Sequence, residues 1–99
     1  MLTQKEVLDY FKQNKHVLLN RFHLKRLGLF GSFARNEQRE ESDIDVMADF
    51  EDNIDDIYAV KEELRTLLFQ HFGRQADICN VKYLKSYYKD VILNETIFV

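Results

Sequence analysis

The sequence predicts an α+β fold: a small mixed β-sheet of about three strands or more, with helices packed on one side. Three observations carry this. Three short strand-like segments, LKRLGLF, DIDVMADF and RQADICNV, are spread along the chain. Between and around them apolar residues recur at helical spacing. The length of 99 residues and a hydrophobic content of 45% suit one modest core, so a single domain over residues 1–99 is expected.

Taken in order, Thr3 followed by Glu6 resembles a capping box, and Val7, Tyr10, Phe11 and Leu18 form an apolar stripe, so the chain should open with a helix. A polar bridge through Arg21 and His23 leads to LKRLGLF, a leucine-rich run stopped by Gly31, as expected of a buried strand. From Asp43 the pattern alternates: Ile44, Val46, Ala48 and Phe50 fall on one face, and Asp43, Asp45, Met47 and Asp49 on the other. The acidic segment EDNIDD then sits at the positive end of an amphipathic helix carrying Ile57, Val60, Leu64, Leu67, Leu68 and Phe72, with Gly73 as its stop. RQADICNV reads as a third strand with Gln75, Asp77 and Cys79 on one side. Leu84, Tyr87, Tyr88, Val91 and Ile92 mark a last helix, and the apolar tail Ile97, Phe98, Val99, together with the tyrosine pair, is expected to meet a partner. The expected order is helix, strand, strand, helix, strand, helix.

Composition narrows the function classes. A net charge of −3 argues against general nucleic-acid binding, which rests on clustered Lys and Arg. No apolar run approaches a membrane span or the core of a secretory signal, and the single Cys79 forms no internal disulfide, so a soluble cytoplasmic protein is expected.

Asp43 and Asp45 pose the chemical question. Two residues along a strand lie about 6.5 Å apart and point the same way. Two carboxylates about 4 Å apart repel by roughly 4 kcal/mol at an effective dielectric near 20. A hard divalent cation such as Mg²⁺ reverses the sign, since it takes one or two carboxylates and completes its shell with water and phosphate oxygens. Gly31 and Ser32 supply the complement: glycine lets backbone approach a phosphate, and Ser32 can begin a short helix facing the anion. Other acidic and imidazole groups read as structural. Asp49 lies about 13 Å further along the strand; Glu51, Asp52, Asp55 and Asp56 suit a solvated helix start, and His16, His23 and His71 share no spacing with the carboxylates.

Gly31 and Ser32, ten intervening residues, then Asp43, Ile44 and Asp45 resembles the signature of the DNA polymerase β-like nucleotidyltransferase superfamily. The wording FGSFAR…SDIDV is similar to its minimal nucleotidyltransferase branch, strongly so over Leu27 to Phe50. The resemblance implies a nucleotidyltransferase core, with Asp43, Asp45 and Asp77 as catalytic and metal-binding carboxylates for two Mg²⁺ ions. It also implies nucleotide contacts from Gly31, Ser32, Arg35 and Ser42. Asn36 stands where the branch usually has glycine, and asparagine tolerates a left-handed backbone. The resemblance further implies ATP as donor and a HEPN ribonuclease toxin as partner, adenylylated on a tyrosine, in a homo- or hetero-oligomer. A small-molecule acceptor, or neutralisation by binding alone, are the competing expectations; the short chain favours a protein acceptor that supplies the missing walls.

Overall fold

A computed structural model describes residues 1–99. The capping box forms as the sequence predicts: the Glu6 N–H donates to Thr3 Oγ1, and the Thr3 N–H donates to Glu6 Oε1. The helix it opens, α1 (Gln4–Gln13), is shorter than the apolar stripe suggested. At Asn14 the backbone leaves helical geometry and the side-chain amide donates to the Tyr10 carbonyl at 2.9 Å, the local competition expected of asparagine inside a helix. A second helix, α2 (Lys15–Arg21), continues the stripe, so Val7, Phe11 and Leu18 are still all buried.

After a turn in which His23 adopts a φ of 55°, β1 (Leu24–Phe30) leads into the short α3 (Gly31–Ala34), and β2 (Ile44–Phe50) follows. The long α4 (Ile57–Phe72) starts on Asp56, whose carboxylate accepts from the Ala59 N–H, and stops at left-handed Gly73. It carries the chain over to β3 (Ala76–Asn80), and a 3₁₀ turn (Val81–Tyr83) precedes α5 (Ser86–Glu95).

The sheet has the order β3-β2-β1-β4, antiparallel between β2 and β1 and between β1 and β4, and parallel between β2 and β3. Ile44, Val46, Ala48 and Phe50 join Leu27, Leu29, Ala76 and Ile78 on the core face, against Val7, Phe11, Leu18, Phe33, Leu64 and Leu68 from the helices. The opposite face carries Asp45, Asp77, Met47 and Cys79.

The expected partner tail is instead a fourth strand, β4 (Ile97–Phe98). Ile97 pairs with Leu29 and Phe98 with Gly28, and the Val99 N–H donates to the Leu27 carbonyl at 2.9 Å. Edge pairing with β1 satisfies the tail's backbone, and Ile97 and Val99 pack against the chain's own core. Burial within the chain thus removes the reason for reading this tail as partner surface. Helix α5 contributes no buried residue, and Tyr87 and Val91 face solvent. No helix is long and apolar enough to cross a membrane.

Candidate active site

Parallel pairing of β2 with β3 sets Asp45 directly opposite Asp77, on the face away from the core. Because β1 pairs Phe30 with Asp45, the chain turns at Gly31 immediately beside that carboxylate. Gly31 has a φ of +69°, and a Cβ added to it would lie 2.1 Å from Asp45 Oδ2. Both conformation and space therefore demand glycine: the carboxylate of Asp45 occupies the volume a side chain would fill. The turn and the carboxylate are built against each other.

Asp45 is half-buried, whereas Asp43 and Asp77 are exposed. Burial foremost, then the charges of Asp77 and Asp43, push the Asp45 carboxyl above the usual carboxylate range, with Arg35 pulling the other way. The next pair along the same face is Met47 and Cys79; burial and the charge of Asp77 push the Cys79 thiol up, which leaves it a poor nucleophile. Asp49 is paired with Arg26 at 3.1 Å. His71 stacks on Tyr10, with ring centroids 3.9 Å apart.

The loop from α3 to β2 places the other candidates. Ser32 is half-buried, and its carbonyl accepts from the Glu37 N–H at 2.9 Å. Asn36 takes a φ of 57°, so it adopts the left-handed turn a glycine would otherwise supply. Ser42 closes the loop on itself: its Oγ accepts from the Arg39 N–H at 2.8 Å, and its carbonyl accepts from Arg74. Arg35 is exposed and pairs with Glu37 at 2.5 Å and Glu95 at 3.0 Å. Glu95 also accepts from the Gly31 N–H at 3.0 Å. Neither Glu95 nor Arg74 was foreseen from the sequence, because each reaches the site across the fold from a position that belongs to no motif.

Two surface hollows lie elsewhere, one lined by Arg21, Glu62 and Gln70 and the other by His23, Asp52 and Asp56. Neither is lined by Asp43, Asp45 or Asp77.

The profile of the family described as polymerase beta, nucleotidyltransferase, matches residues 6–99. The chain belongs to this family. It is a nucleotidyltransferase, and several relatives match it over its whole length. It is 33% identical, over all of this chain and 98% of the other, to protein adenylyltransferase MntA of Thermococcus cleftensis. It is 34% identical, over the whole of both chains, to a Methanocaldococcus jannaschii protein provisionally named a protein adenylyltransferase. A solved structure provisionally described as a minimal nucleotidyltransferase superposes with a TM-score of 0.80 at 28% identity, covering 97% of this chain and 95% of that one. A toxin–antitoxin structure with AMP-PNP shares the fold at a TM-score of 0.68 and 21% identity, over 88% of this chain and 70% of that one.

Nucleotidyltransferases act on a polyanion, and the donor set here fits a hard divalent cation. All the donors are carboxylate oxygens, and a cation would relieve the repulsion from Asp77 and Asp43 that adds to burial in raising Asp45. No three acidic, histidine or cysteine side chains are gathered into a preformed metal cage. The expected convergence of three carboxylates is therefore not in place here, while an ion that keeps most of its waters needs only one or two.

Proposed function

We propose that this nucleotidyltransferase is a cytoplasmic antitoxin that uses Mg²⁺ to transfer AMP from ATP to a tyrosine of a HEPN-type ribonuclease toxin. One observation carries the reading: Asp45 and Asp77 stand opposite each other beside the glycine turn, and neither lines an enclosed hollow. A small acceptor would need an enclosing pocket, whereas a folded protein brings its own surface to the site. The names of full-length relatives, which specify protein adenylylation, support the same acceptor class. The toxin's type and the tyrosine rest on the resemblance of the sequence to antitoxins of the minimal branch.

Asp43 and Asp45 would hold the cation, with Asp77 joining them for a second ion. Bound there, the metal would neutralise triphosphate charge and polarise the attacking oxygen. The chain's own groups set the geometry. Gly31 would offer its backbone N–H to a phosphate oxygen, Ser32 a hydroxyl and Arg35 a fork of N–H donors. Asp77, exposed opposite Asp45, would accept the proton of the acceptor hydroxyl as its oxygen bonds to the α-phosphorus. The bond from that phosphorus to the bridging oxygen breaks, and pyrophosphate leaves. Ser42, tied into its loop, acts by shaping the turn before Asp43.

The test is a double substitution, Asp43→Asn with Asp45→Asn, which keeps side-chain size and removes the charges. The parent protein with Mg²⁺, ATP and the toxin should add one AMP mass per modified tyrosine, read by intact mass. The double variant should bind the toxin and add none. Full neutralisation of the toxin by that variant would establish neutralisation by binding alone.

A further inference from the structure

Glu95 is the last residue of α5, directly before the residues that lead into β4. Its Oε1 accepts two hydrogen bonds, from the Gly31 N–H at 3.0 Å and from Arg35 Nη1 at 3.0 Å. A single anionic oxygen bridging a backbone N–H and a guanidinium, beside a glycine that cannot carry a side chain, is the arrangement a phosphate oxygen would adopt.

We propose that the Glu95 carboxylate holds the place of a triphosphate oxygen and is displaced when nucleotide binds. This rests on the nucleotidyl-transfer reading above. One oxygen cannot leave both donors in place while a phosphate uses them, and two anions side by side would repel. Displacement also frees one edge of Arg35, whose Nε remains on Glu37. Because Glu95 closes α5, entry of the nucleotide releases the side-chain tie between that helix and the glycine turn.

Calorimetry of Mg²⁺ with AMP-PNP, on the full chain and on Glu95→Gln, tests this. Glutamine keeps the size and can still accept from the Gly31 N–H, but it removes the competing charge. Nucleotide binding should tighten roughly three- to tenfold, the range expected for losing a partly exposed charge-assisted contact. Weaker binding would make Glu95 a strut that positions Arg35 for the phosphate, and equal binding would make it a bystander; either overturns the displacement while leaving the nucleotidyltransferase reading intact. Absence of binding in both proteins would overturn that reading together with this one. Hydrogen exchange on the unsubstituted protein gives a second readout: amides from Asp90 to Thr96 should exchange faster with AMP-PNP bound, and unchanged or slower exchange there counts against displacement.

Discussion

Gly31 and Asp45 form the contact on which the site depends. Gly31→Ala meets two separate costs: a left-handed φ disfavoured by roughly 1–2 kcal/mol for a side-chain-bearing residue, and a collision with Asp45 Oδ2. Gly73 shares the φ of +69° but has nothing within 4 Å of an added Cβ. Gly73→Ala should therefore lower Tm by the conformational cost alone. Gly31→Ala should lower it further and abolish nucleotidyl transfer, and equal melting of the two variants would show that the carboxylate moves aside freely. Asp45 yields a pH prediction. Its folded-state carboxyl is pushed above the ordinary range, so the folded chain holds a proton that the unfolded chain has released, and stability falls as pH rises through that window. Metal-free Asp45→Asn should accordingly melt a few degrees higher than the parent at pH 7. That advantage should disappear below about pH 4, where both states of the parent are protonated. At this scale the sequence was informative about Asp45 and Asp77 standing opposite each other, because strand parity decides which way a side chain points. It was silent on Glu95, which meets Gly31 across a separation of 64 positions that no local period encodes.

Among the elements, β1, β2, α4 and β3 were legible because each buries one clean apolar face. Two elements were not. Asn14 fits the helical stripe, so the break between α1 and α2 became visible only through its hydrogen bond to Tyr10. The two-residue β4 was hidden because a short apolar tail looks the same whether it pairs with an edge strand or with another protein. Deleting Ile97 to Val99 tests the pairing directly. Loss of the half-buried Ile97 and Val99 side chains should cost about 1–3 kcal/mol, seen as a lower Tm, and the β1 edge amides should exchange faster. An unchanged Tm would mean that β4 adds nothing to the fold.

At the scale of the whole molecule, class and architecture were readable because local propensity and long-range pairing agree. The crossover from β2 through α4 to β3 has a consequence in time. Asp45 and Asp77 sit on parallel strands that cannot pair until the whole intervening helix has packed, and such non-local pairing is among the slower steps available to a small chain. A ligand that bridges these two carboxylates can bind only once that pairing is complete, in the folded state. Stopped-flow experiments with Mg²⁺ and AMP-PNP should then show slower unfolding at an unaltered refolding rate. The nucleotide would act as a brake on opening, lengthening the life of each folded molecule without hastening the birth of the next.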